Sequence, residues 1–171
     1  MYLKRPLAAA AAALLLLSGC GRTRADATPP VTEGFACQTA IRYRDMELQG
    51  QLPRTADGKL TLAFSLPKTL NGVAVGWNGT DMTMELGGMS IAVPAEQVPQ
   101  GALVKRLLQV LSADHGDGAV TEEGYAVSGE VEGETYTLVC DPATGLPVTL
   151  TLPAEGLEVT FTEVTLTENT N

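Results

Sequence analysis

The chain has 171 residues, 44% hydrophobic, 18% charged and 5% aromatic, a balance that suits one globular domain and excludes disordered, collagen-like and coiled-coil chains. A single His excludes a multi-His metal site and leaves most His-based catalysis without its base. A net charge of −9 with no basic stripe excludes nucleic-acid binding, since phosphate contacts need clustered Lys and Arg.

Lys4 and Arg5 precede an unbroken Leu/Ala run from Leu7 to Leu17. The run is too short to span a bilayer, which takes about 20 residues, and suits the apolar region of a secretory signal. Leu17-Ser18-Gly19-Cys20 follows, and resembles the bacterial lipobox Leu-x-Gly/Ala-Cys. The resemblance implies cleavage after residue 19 and a diacylglyceryl group on Cys20 as the covalent lipid and membrane anchor. It places the protein on the extracytoplasmic side of a membrane, facing periplasm or cell surface. Several acyl chains hold a protein firmly, because each buried CH₂ contributes about 0.8 kcal/mol. Loss of Lys4 and Arg5 with the signal takes the charge from −9 to −11, so lipid, not charge, would hold the body at an anionic surface. Residues 20–34, polar and carrying Pro29-Pro30, read as a solvated tether, 35–167 as a single domain and 168–171 as a tail.

Cys37 and Cys140 remain once Cys20 is acylated. An exported compartment permits a disulfide between them, and two buried thiols acting as small hydrophobes are the alternative.

The body reads as strands. Phe35, Cys37, Ile41 and Tyr43 alternate, as do Met46, Leu48 and Leu52, and the phase flips near Arg44, which predicts a bulge or bend. Residues 59–66 put Leu60, Leu62, Phe64 and Leu66 on one face before Pro67 ends the strand. Val73, Val75 and Trp77 lead into Asn78-Gly79, a favoured two-residue hairpin turn that would pair Trp77 with Thr80 and Val75 with Met82. Gly87-Gly88 is a second turn, pairing Leu86 with Met89, Met84 with Ile91 and Met82 with Val93. Residues 101–112 carry Leu103, Leu107, Leu108 and Leu111 at helical spacing. Strand character returns at 125–131, 136–140, 148–152 and 157–161, with a compact turn at Asp141–Pro147. The fold class is mostly β with one inserted helix (α+β): about nine or ten antiparallel strands in a sheet that curls or forms an incomplete barrel.

LAFSLPKTLNGVAVGWNG at 62–79 and DPATGLPVTLTLP at 141–153, in an exported chain with a meandering sheet and an inserted helix, resemble the LolA/LolB-like lipoprotein carriers. The resemblance implies an incomplete barrel with an apolar interior under a helical lid, and acyl chains of lipids or lipoproteins as ligand.

The candidate lipid-binding residues are Val75, Trp77, Met82, Met84, Leu86, Met89 and Ile91 on the meander, with Leu103, Leu107 and Leu111 on the helix. Met is flexible and polarizable and suits a surface that accepts varied apolar partners. The same residues also read as an ordinary sheet–helix core. Asp114–Gly118 lacks the ligand spacing of a calcium loop, and Glu130, Glu132 and Glu134 read as a solvated strand face. No catalytic triad, phosphate loop or CxxC motif is present, so the expectation is a non-enzyme without metal or other cofactor. It is either a lipid binder with an apolar cavity or an envelope interaction or sensor domain with a solid core, its protein partner unspecified.

Overall fold

The computed structural model describes residues 27–99 and 102–167. The signal region and Cys20 lie outside the described residues.

Among the described residues, eleven antiparallel strands form one sheet. They are β1 (Phe35–Tyr43), β2 (Met46–Arg54), β3 (Leu60–Leu66), β4 (Val73–Trp77), β5 (Asp81–Leu86), β6 (Met89–Pro94), β7 (Ala119–Val120), β8 (Tyr125–Val131), β9 (Glu134–Cys140), β10 (Pro147–Leu152) and β11 (Leu157–Leu166). A helix, α1 (Leu103–Ser112), follows β6. The expected nine or ten strands become eleven because Ala119–Val120, too short to show alternation, pairs with the start of β8.

The spatial order is β6-β5-β4-β3-β2-β1-β11-β10-β9-β8-β7. The chain starts at the middle and meanders to one edge. It crosses to the other edge through α1 and meanders back, so its first and last strands pair. β6 and β7 are the two edges and do not pair with each other, so the sheet stays open. The helix packs against β3 and β4 and also against β8, far apart in that order. An open sheet can touch one short helix from both halves only by curling around it.

One continuous core results. It includes Phe35, Ile41, Leu52, Leu60 and Leu62 from one half, Leu138, Leu150, Leu152 and Val159 from the other, and Leu107, Leu108, Val110 and Leu111 from the helix.

Three local expectations are corrected. The phase flip at Arg44 is not a bulge but a two-residue hairpin turn, with Tyr43 opposite Met46 and Arg44 at φ 52°. Residues flanking such a turn share a face although three apart in sequence, which in one dimension looks like a slip of phase. The β4–β5 hairpin is also wider than two residues. Trp77 pairs with Met82, Val75 with Met84 and Val73 with Leu86. The Asn78 side chain causes this: its Oδ1 accepts the backbone N–H groups of Thr80 and Asp81, at 2.9 and 2.7 Å, and an Asx turn replaces the tight one. The shift is even, so the apolar face survives. The β5–β6 register is as expected, with Leu86 opposite Met89, Met84 opposite Ile91 and Met82 opposite Val93.

The expected solvated tether is docked in its described part. Thr28 N–H donates to Pro142 O (2.8 Å), Thr28 Oγ1 to Ala143 O (2.9 Å) and Val31 N–H to Gly145 O (3.0 Å). Residues 28–33 thus strap across the β9–β10 turn. Gly145 permits it twice over: its φ is +71°, and a Cβ there would lie 2.1 Å from Pro29 O. Asp141 shapes the turn by accepting from Ala143 N–H, Thr144 N–H and Thr144 Oγ1. These bonds hold its carboxyl below the usual carboxylate range.

Candidate functional site

The meander β4–β5–β6 presents one apolar face, and the helix covers only part of it. Val75, Trp77 and Met82 are buried and belong to the core with Leu107 and Leu111, while Leu103 is partly buried against it. Trp77 Nε1 donates to Ser112 Oγ at 3.2 Å, tying β4 to the end of α1. Beyond that line the cover stops. Met84 is 50% exposed, Leu86 51%, Met89 71% and Ile91 59%. The two pairs Met84–Ile91 and Leu86–Met89 are direct cross-strand neighbours, so the four side chains form one patch. The ten candidates therefore divide: Val75, Trp77, Met82, Leu107 and Leu111 are packed core with Leu103 at its margin, and Met84, Leu86, Met89 and Ile91 are an open apolar shelf. Contiguous exposed apolar groups of this kind mark interaction surfaces, whereas scattered single ones do not.

Sequence reasoning missed an ion-pair network behind the helix. Lys105 and Arg106 are buried although charged. Glu132 meets both: Lys105 Nζ lies 2.7 Å from its Oε1 and Arg106 Nε 3.3 Å from its Oε2. Arg106 Nη1 also lies 2.7 Å from Glu155 Oε1, and the exposed Arg44 reaches Glu155 at 3.5 Å. Arg106 beside it holds the Glu155 carboxyl below the ordinary carboxylate range. Glu132 is not on a solvated strand face as expected. Val131 pairs with Glu134, so Glu132-Gly133 is the turn between β8 and β9, with Glu132 at φ 50° and its side chain only 14% exposed.

A second polar group sits under the strap. Arg54 is buried and its Nη1 donates to Val31 O (2.9 Å) and Glu33 O (3.4 Å). His115 Nδ1 lies 3.0 Å from Tyr136 Oη. Burial pushes the imidazole below its ordinary pKa; Arg54 adds to this and Asp114 opposes it. The folded state therefore resists protonation of His115. The stability this contributes is complete above about pH 6.5 and is drawn down as pH falls from there through the lowered folded value. Urea midpoints should decline between pH 7 and 5 in the wild type and decline less in His115→Gln, which hydrogen-bonds but does not titrate. Parallel midpoint curves for the two would remove His115 as the cause.

Cys37 and Cys140 are both buried free thiols. They lie on β1 and β9, three strand positions apart in the sheet. At about 4.8 Å per position that separation exceeds the roughly 7 Å Cα span of a disulfide. Burial pushes both thiols up to about 12, so they pack as small hydrophobes.

No protein-family model matches the chain, and no curated protein matches it. Solved structures do. An uncharacterised conserved protein from Thermus thermophilus superposes with a TM-score of 0.53 at 15% identity, over 82% of this chain and 82% of that one. A domain described as outer membrane lipoprotein-sorting, from Vibrio parahaemolyticus, gives 0.49 at 8% identity, over 84% and 89%. A LolA superfamily protein from Nitrosomonas europaea gives 0.45 at 10% identity, over 85% and 91%. At 15% identity the Thermus likeness is one of fold.

Proposed function

We propose that this protein is an envelope lipoprotein that binds acyl chains, of lipids or of lipoproteins, on the open apolar shelf of β4–β6. One observation carries the reading: Met84, Leu86, Met89 and Ile91, each 50–71% exposed, are in register on one face. A ligand made of CH₂ groups asks for that surface, and two of its four side chains are Met, which adapts to varied shapes. The LolA/LolB-like motifs and the lipobox agree with it, with Cys20 as the lipid attachment site and the membrane as the place of work. The chemistry is binding, without catalysis or cofactor.

The second reading, an interaction or sensor domain with a solid core, is favoured by the packing of Val75, Trp77 and Met82 against the helix. Titration with a fluorescent fatty acid separates the two. The wild type should bind saturably. Met89→Glu with Ile91→Glu should weaken binding by at least about tenfold, the equivalent of roughly two methylenes at about 0.8 kcal/mol each. Both sites are exposed, so stability should stay within about 0.5 kcal/mol of wild type. Absence of saturable binding by the wild type hands the function to the second reading.

A further inference from the structure

The two edges of the sheet are built differently. β7 is two residues long, and so short an edge offers little to a partner strand. β6 is six residues long and lies at the other edge, with no strand beyond it among the described residues. Proteins normally blunt such an edge with Lys, an inward charge or a central Pro. Here the stretch from Leu86 to Ala95 carries no charged residue, in a chain of net charge −9, and its one Pro, Pro94, stands at the strand's end.

The backbone of β6 shows which groups are free. The tight turn at Gly87-Gly88 makes Leu86 and Met89 a hydrogen-bonded pair, and bonded pairs then recur at every second residue. Ala95 N–H donating to Thr80 O at 3.1 Å fits that alternation. Met89, Ile91 and Val93 therefore bond inward to β5, and Ser90 and Ala92 aim their N–H and C=O groups outward. Their side chains are small and neutral, and both residues are exposed.

We propose that β6 is a pairing edge whose occupant is β6 of a second copy of this chain. Antiparallel pairing centred on Ile91 sets Ser90 opposite Ala92 of the partner and Ala92 opposite its Ser90, so the four outward backbone groups of Ser90 and Ala92 on each copy are used. The strand is its own complement, and no like charges meet in a molecule whose net charge would otherwise oppose self-association. The two-fold axis lies perpendicular to the sheet, so the apolar shelves of both copies end on the same side and join into one surface. The backbone edge carries this inference, which stands whether or not the shelf takes acyl chains.

The full chain tests it, by sedimentation velocity and by cross-linking of Ile91→Cys. Across the proposed axis the two residues at 91 form a non-hydrogen-bonded pair with Cα atoms about 4.5 Å apart, within disulfide reach. A disulfide joining two residue-91 peptides, shown to be intermolecular by mixing heavy- and light-isotope protein, is expected; Glu85→Cys, on the inner strand, should give none. Ala92→Pro deletes one outward N–H and leaves the β5 ladder intact. It should weaken dimerisation more than tenfold while fatty-acid binding stays as in wild type, so loss of pairing and loss of acyl binding are read separately. A wild-type protein monomeric up to about 0.1 mM, or a dimer indifferent to Ala92→Pro, overturns the proposal.

Discussion

Glu132→Ala is expected to destabilise the protein by about 3 kcal/mol, the lower end of the range for removing one partner of a buried ion pair. The reason is what it leaves behind. Lys105 and Arg106 have side chains only 7% and 9% exposed, and Glu132 is the carboxylate that touches both. Arg106 keeps Glu155, whereas Lys105 falls back on the neutral Val98 carbonyl at 3.5 Å. A cation held away from water without a counter-charge is costly, more so than the pair is stabilising. The triple change Lys105→Met, Arg106→Leu, Glu132→Leu should therefore recover most of the loss, since it removes the charges together. Urea unfolding of both variants decides it. Equal damage from the single and the triple change would mean that shape, and not stranded charge, is the cause.

The same network marks the limit of what one dimension can say. The apolar stripe of α1 was legible because Leu103, Leu107, Leu108 and Leu111 keep helical spacing. That spacing gives Lys105 and Arg106 to solvent, as it should for a helix lying on a flat sheet. A curled sheet covers more than one side of its helix, and curl depends on contacts of α1 with β3, β4 and β8 that no local pattern encodes. Glu132 departs from its expected strand face for a different reason. Period-2 alternation holds only inside a strand, and Glu132-Gly133 is where one strand becomes the next. The Glu-Gly pair between two alternating runs was the available signal for that turn.

The shelf was half legible. The β5–β6 register followed from Gly87-Gly88 alone, because consecutive glycines reach positive φ without strain and fix a two-residue loop. The β4–β5 register needed the hydrogen bonds of the Asn78 side chain, and a sequence lists Asn without its acceptor geometry. All ten lipid-binding candidates carry the right chemistry. Which of them are core and which are surface depends on how far α1 reaches across the sheet: its main contacts on this half are with β3 and β4, so Val75 is buried while Met84 opposite it on β5 is half exposed.

Leu107→Ala should cost about 3 kcal/mol, within the roughly 2–5 kcal/mol span for buried Leu. Leu107 is fully buried and shares one packed cluster with Val75, Trp77 and Met82. Where side chains are packed on all sides, deletion of three carbons loses their transfer free energy and also leaves a void that rigid neighbours fill only in part. Beneath a ready-made ligand cavity the void term would vanish, and the loss would fall toward the transfer term alone. Leu107→Trp sharpens the contrast, because a packed interior must strain to admit the ring, by about 1–3 kcal/mol, while a cavity would take it at little cost. Met84→Trp serves as the control: with its side chain half exposed on the shelf, it should leave the urea midpoint nearly unchanged. A pattern in which both Leu107 variants damage stability and Met84→Trp does not shows a packed interior without a ready-made cavity, and leaves the shelf as the proposed ligand surface. Tolerance of Leu107→Trp would move it back under the helix.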